Sequence, residues 1–244
     1  MKITVVHGSP RKGNTYQATK RFMDEMAECG EAVGNDLDFH EIFLPRDFPQ
    51  FCLGCRICFS KGEEFCPHAE YLIPARDAML AADGLIFASP VYVLSASGGM
   101  KAFLDHFGFL FAVHRPRREM FDKKAMILST TAGVGLGAVR RTVASSLKSW
   151  CVNRIYFLGL RLISHTRLDS LPDRRKQAFD RRIRTAARKF YAEVASGKKR
   201  RPTMYARTIF GVAKVILARR DEKESLDKRY WLENGLFERG LKQS

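Results

Sequence analysis

The chain has 244 residues, 45% of them apolar, enough to build one α/β core of ordinary domain size. Its formal charge is +16, from 42 basic against 26 acidic residues, and much of the excess lies after Arg115. No helix-turn-helix pattern, ribonucleoprotein motif or zinc-finger spacing accompanies that charge, and no apolar run or leader pattern precedes the first strand, so the sequence argues against a nucleic-acid partner, a membrane span or export and points to the cytoplasm.

Apolar runs bounded by turn residues alternate with segments of helical period, which predicts a parallel sheet with helices on both faces. Lys2–His7 reads as the first strand. The stretch GSPRKGNT follows it directly, from Gly8 to Thr15. Backbone N–H groups, the hydroxyls of Ser9 and Thr15, the Asn14 amide and the cations of Arg11 and Lys12 converge there on a helix start, whose dipole and unpaired amides favour an anion. The spacing matches neither the P-loop nor the G-x-G-x-x-G dinucleotide loop, so a monoester phosphate suits it better; an ordinary capped turn is the competing reading. A helix over 15–29 places Ala18, Phe22, Met26 and Cys29 on one face. A second strand is predicted over 38–44.

Within a cysteine-rich insertion over 50–68, Cys52, Cys55, Cys58 and Cys66 precede Pro67 in the spacing C-x2-C-x2-C-x7-C-P. In a reducing compartment such a run suggests metal or redox chemistry before disulfides. Four thiolates on a short loop suit a four-iron, four-sulfur (4Fe–4S) cluster. Zinc takes the same donor set, and a loop of empty thiols is the third reading. Cys29 and Cys151 fall on apolar helix positions and read as core.

A third strand over 84–89 leads into SPVYVLSASGGMKAFLDH, from Ser89 to His106, and a helix predicted over 96–111 with Met100, Phe103, Leu104, Phe107 and Phe111 on one face. A fourth strand over 125–131 runs into TTAGVGLG, Thr130 to Gly137, whose amides and small side chains allow close approach of a flat ring or a phosphate-bearing chain; a bare glycine turn competes. Val139, Val143, Leu147 and Trp150 mark the next helix, 155–163 the fifth strand, and Phe179, Ile183, Ala187, Phe190 and Val194 the last helix of the domain. In open parallel sheets ligands sit beyond the carboxyl ends of strands at the switch in winding, so the loops at 9–15, 89–97 and 130–137 should meet.

GSPRKGNT, SPVY and the following S-G-x-M-K-x-F-x-D together resemble the NAD(P)H-dependent FMN reductase family of flavodoxin-like proteins, over roughly residues 1–195. The resemblance implies a flavodoxin-like, doubly wound, five-stranded parallel sheet over 1–196, with FMN as cofactor and NAD(P)H as hydride donor. Electrons would pass to a flavin, a quinone, another small acceptor or a redox protein. It implies phosphate contacts from Ser9, Arg11, Gly13, Asn14 and Thr15, and ring contacts from Pro90, Val91 and Tyr92, with Thr131, Ala132 and Gly133 bordering the flavin. It requires no catalytic acid or base. Lys101 and Asp105 match the family pattern and also have the spacing of a helix-surface ion pair, while His106 stands where the family usually has Arg. The cysteine motif is similar to that of iron–sulfur flavoproteins, which implies a second function as an electron carrier between proteins; many relatives keep a similar hairpin without a cluster.

Residues 197–244 read as a basic helical tail. A helix from near Pro202 groups Tyr205, Ile209, Val212, Ala213 and Ile216 on one face and Arg207, Gly211, Lys214 and Ala218 on the other. Docking on the domain is expected; a partner subunit or an anionic membrane surface competes. Tyr230, Trp231, Leu232, Leu236 and Phe237 supply aromatic and aliphatic area to bury. The apolar surplus from Phe103 to Phe111 suggests a homodimer.

Overall fold

A computed structural model describes residues 1–162, 167–199, 201–223 and 225–239. In chain order the elements are β1 (Lys2–His7), α1 (Asn14–Glu31), β2 (Asp38–Phe43), α2 (Ile57–Ser60), α3 (Ala69–Ala81), β3 (Gly84–Tyr92), β4 (Ser95–Ala96) and α4 (Gly98–Asp105). They continue with α5 (Arg118–Phe121), β5 (Lys124–Thr131), α6 (Leu136–Ser149), β6 (Arg154–Arg161), α7 (Asp173–Ala195), α8 (Met204–Ala218), α9 (Leu226–Glu233) and α10 (Leu236–Arg239). Five strands run parallel in the order β2-β1-β3-β5-β6, and the short β4 pairs antiparallel with the end of β3 as a sixth. This is the doubly wound, flavodoxin-like arrangement, with its switch in winding between β1 and β3.

Every residue of β5 is buried, because helices cover both faces of the sheet. On one side α1 contributes Ala18, Phe22 and Met26, and α7 contributes Phe179, Ile183, Ala187, Phe190 and Val194; they close over Ile3, Val5, Ile86 and Leu128. On the other, Leu72 and Met79 of α3, Met100 and Phe103 of α4, and Val139, Val143 and Leu147 of α6 pack on Val6, Leu85, Phe87 and Ile127. The predicted stripes of the helix over 15–29, of the Val139–Trp150 helix and of the last domain helix are therefore the ones buried, Cys29 only in part.

Several expectations are corrected. The helix expected over 96–111 ends at Asp105, and a single 3-10 turn covers Gly108–Leu110. A Cβ at Gly108 would lie 3.2 Å from the Phe59 ring, so the cysteine-bearing loop packs where the helix would continue. Phe103, Leu104, Phe107, Phe109 and Leu110 are fully or nearly buried within this chain, so that surplus gives no argument for a second copy. Helix α3 is not among the predicted elements; it accommodates Pro74 in its interior, and Leu72, Ala75 and Met79 anchor it to the core. Ile163 of the predicted fifth strand, and residues 200, 224 and 240–244 of the predicted basic tail, lie outside the described residues.

The tail docks on the domain, but by a different face of α8. Ala206, Phe210, Ala213 and Leu217 are buried, whereas Tyr205, Val212 and Ile216 are exposed. The two alanines let the helix approach closely, and Phe210 packs between Phe121 (6.4 Å) and Trp231 (4.4 Å). Trp231 also donates its indole N–H to the His114 carbonyl at 2.7 Å.

Candidate functional site

The carboxyl ends of β1, β3 and β5 open into one cavity of about 590 Å³. Of the residues expected there, Ser9, Arg11, Gly13, Asn14, Thr15, Pro90, Val91, Tyr92, Thr131 and Ala132 all line it. Gly133 does not; its N–H donates to Thr131 Oγ1 at 3.1 Å within the loop. Lys12, Thr130, Leu162 and Arg167 complete the wall. Leu162 and Arg167 belong to the segment after β6, which carries no motif; only its place at a carboxyl end of the sheet could have marked it.

The start of α1 forms the floor. Gly13 is its N-cap, and no side chain caps the helix. The first-turn amides thus lack the side-chain acceptor that an N-cap Ser or Asp would supply. A Cβ at Gly13 would meet nothing within 4 Å, so the cradle is open at that point. Thr15 Oγ1 lies 2.6 Å from Thr130 Oγ1, a buried pair that fixes the first turn of α1 against the end of β5. Asn14 Oδ1 accepts from the Leu168 N–H at 2.8 Å, tying the segment after β6 to the same loop.

The opposite wall is Pro90, Val91 and Tyr92 at the end of β3. Tyr92 OH lies 3.1 Å from Ser9 Oγ and 3.5 Å from Arg11 Nη2, so the phosphate-type loop and the aromatic wall are joined. Burial alone would raise the Tyr92 phenol; hydrogen bonds with Ser9 and Arg11 and the Arg11 charge outweigh it and bring the phenol below its usual range. Beyond Tyr92, Val93 (φ 44°) and Leu94 (φ 65°) hold left-handed backbone conformations and are 97% and 61% exposed. A β-branched residue in that region is strained, a condition that persists where surrounding structure enforces it and that clusters at functional sites. Gly135 (φ 101°) makes the fit possible, since a Cβ there would lie 2.6 Å from Val91 Cγ1.

The four predicted cysteine ligands, Cys52, Cys55, Cys58 and Cys66, line a second cavity of about 70 Å³ together with His68 and His106. Gly54 (φ 64°) and Arg56 (φ 62°) flank Cys55 in left-handed conformations and curl the loop. Burial, then the neighbouring Cys66, pushes the Cys58 thiol up to about 11; burial also raises Cys66. Among the described residues no group of three Cys, His, Asp or Glu side chains is placed to hold a single metal ion. His106 is buried, with Nδ1 2.8 Å from the Ala102 carbonyl and Nε2 2.9 Å from His68, and burial lowers its pKa, so it supplies no surface cation where the family has Arg. Lys101 and Asp105 form the exposed i, i+4 pair.

A buried charge network supports this loop. Arg115 donates to the Cys58 carbonyl, to Glu63 at 3.1 Å and to Asp227 of α9 at 2.7 Å. Glu63 also accepts from Arg76 and Arg117, and His114 pairs with Asp227. Burial raises the Glu63 carboxyl; its own backbone N–H and the charges of Arg115 and Arg117 more than offset this and leave it below the usual range.

The family model for NADPH-dependent FMN reductases matches residues 1–159. An iron–sulfur flavoprotein of Clostridioides difficile is 30% identical over 133 residues, 54% of either chain. The chain spans about half the length of the curated relatives it matches. An oxidoreductase of Corynebacterium diphtheriae superposes with a TM-score of 0.60 at 18% identity, covering 80% of this chain and 97% of its own. An FMN-dependent NADH-azoreductase of Bacillus anthracis, solved in complex with FMN, gives 0.56 at 11% identity, covering 78% of this chain and 100% of its own.

Proposed function

The chain belongs to the NADPH-dependent FMN reductase family, and from that we propose that the larger cavity holds FMN, that NADPH or NADH is the hydride donor, and that a flavin, a quinone or another small molecule is the acceptor. The observation that carries this reading is that the phosphate-type loop, the aromatic wall and the small-residue loop converge on one cavity at the switch in winding. The donor set fits the cofactor: hydroxyls, an amide, the cations of Arg11, Lys12 and Arg167, and helix amides without a side-chain cap, beside an apolar wall.

Bound FMN would supply hydride acceptance and subsequent electron delivery, chemistry that belongs to the cofactor. Ser9, Arg11 and the amides of Gly13, Asn14 and Thr15 hold the phosphate. The Thr15–Thr130 pair keeps those amides aimed. Pro90, Val91, Thr131 and Ala132 form the bed of the ring, and Tyr92, held by Ser9 and Arg11, fixes its edge. The exposed Val93, Leu94 and Val134 form an apolar rim that sheds water and receives a planar partner. No side chain moves a proton; orientation lowers the barrier. The test is anaerobic addition of NADPH or NADH to the flavin-loaded protein: bleaching of the flavin bands is expected with at least one donor, and unbleached flavin with both overturns the donor assignment.

A second reading rests on the four thiols lining one cavity. Cys52, Cys55, Cys58 and Cys66 would hold a 4Fe–4S cluster, which supplies one-electron transfer. The chain would then be an iron–sulfur flavoprotein, the name its relatives carry, and would pass electrons to a redox protein. Iron and acid-labile sulfide assayed on anaerobically purified protein decide between the two.

A further inference from the structure

The outer arc of α8 is apolar and is not covered by the described chain. Ala206, Phe210, Ala213 and Leu217 form its buried stripe. On the other side Met204, Tyr205, Val212, Val215 and Ile216 stand 75%, 47%, 47%, 55% and 46% exposed. At 3.6 residues per turn these positions share one arc opposite the stripe, interrupted by the exposed Thr208, whose hydroxyl donates to the Met204 carbonyl at 3.1 Å. An exposed, mostly apolar strip of this kind marks an interaction site.

Charge indicates what covers it. Residues 194–220 contain no Asp or Glu and eight Lys or Arg. Arg207 and Lys214 lie beside the apolar arc on one flank. At the start of α8 a cavity of about 630 Å³ is lined by Lys148, Arg154 and Lys189 with Tyr156 and Tyr205, and by a single carboxylate, Glu193. Met204 and Tyr205 belong both to this cavity and to the outer arc, so a cationic, aromatic hollow adjoins the apolar strip. A symmetric pairing of two copies through this face would bring the same cations together, which disfavours self-association here.

We propose that the outer arc of α8 rests in the boundary region of an anionic phospholipid surface, with a lipid phosphate headgroup in the adjoining cavity. An amphipathic helix with an apolar arc and basic flanks binds such surfaces through buried apolar area plus attraction to anionic lipid. The helix lies on the surface and does not cross it: at 15 residues it is too short, and no helix among the described residues is long and apolar enough to span.

The test is sedimentation of the full chain with vesicles of mixed phosphatidylglycerol and phosphatidylcholine, against phosphatidylcholine alone. Binding to the anionic vesicles is expected, weaker by at least about tenfold on the neutral ones and reduced by added salt. Val212→Glu combined with Val215→Glu should cut binding about tenfold or more with an unchanged circular dichroism spectrum, since both side chains already face outward. Lys148→Gln with Lys189→Gln should weaken it to a smaller extent. No sedimentation with anionic vesicles overturns the proposal, as does full binding by the two-glutamate variant, which would leave only diffuse charge attraction. A change in mass by light scattering in that variant, without vesicle binding by the parent, would make the arc a protein interface and also overturn it. None of these readouts depends on flavin chemistry.

Discussion

Thr15 and Gly135 show how far single atoms set the larger site. Replacing Thr15 by Ala removes one member of a buried hydroxyl pair and leaves Thr130 Oγ1 without it, so FMN affinity should fall about tenfold, roughly the worth of one hydrogen bond at a preorganised site. Unchanged affinity in a fluorescence titration would remove Thr15 from the cradle. Gly135→Ala meets Val91 at 2.6 Å and a positive φ, and should lower unfolding stability by about 2 kcal/mol in denaturant melts. The cysteines give a graded readout. Cys52 and Cys55 are exposed and should react first with a thiol reagent, whereas Cys58 at about 11 and Cys151 at about 12 should react slowly at neutral pH. Mass spectrometry showing early loss of Cys151 would contradict its burial. Protection of all four loop cysteines in anaerobically purified protein, lost on chelation, is the result a bound cluster predicts.

Residues of the cavity loops were legible in the sequence because their types are unusual together: Ser, Arg, Asn and Thr at a helix start, or an X-Pro followed by an aromatic ring. Leu162 and Arg167 were not, because nothing local distinguishes them and only the sheet order brings them to the cavity that Thr15 lines.

At the scale of elements, the five parallel strands and the helices α1, α6 and α7 were readable because burial on both sheet faces leaves long apolar runs and clean helical stripes, whereas α3, with Pro74 in its interior, was not. The 96–111 helix and the docking face of α8 were not. The first is interrupted by packing from a distant loop at Gly108, and the second has two apolar arcs between which long-range packing on Ala112, Phe121, Cys151 and Trp231 chooses. The Arg115 network ties α9 to the cysteine loop. Asp227→Ala should destabilise the fold by on the order of 3 kcal/mol, because Arg115 stays buried with one carboxylate fewer. Hydrogen exchange should then rise together in α9 and around Cys58. Lys123 sets a pH dependence. Burial brings its ammonium down to about 8 from an ordinary 10.5. The unfolded chain keeps that proton to higher pH, so the cost to the folded state is full below pH 8 and is relieved as pH rises from 8 to 10.5. Relative to Lys123→Met, the parent should gain on the order of 3 kcal/mol across that window, and a constant difference would contradict the burial of a titrating amine.

The whole molecule is a flavodoxin-like sheet with a helical segment bound to one side. Ala112, Phe121 and Cys151 of the sheet domain share a core with Ala206, Phe210, Leu217 and Trp231 of the tail. Residues 1–196 alone should therefore melt at a lower temperature than the full chain and aggregate more readily, since removal bares this apolar surface and takes Asp227 from Arg115. Equal thermal midpoints would show that the tail adds nothing to the fold. The alternation of strands and helices made this architecture readable from the sequence, whereas the attachment of the tail depends on long-range packing. The most direct test of the central claim is a titration of flavin-free protein with FMN, followed by fluorescence quenching, with Arg11→Ala alongside. Stoichiometric, saturable binding that weakens in the variant and with competing phosphate is the predicted result; no saturable binding of FMN by the folded parent chain would contradict the account.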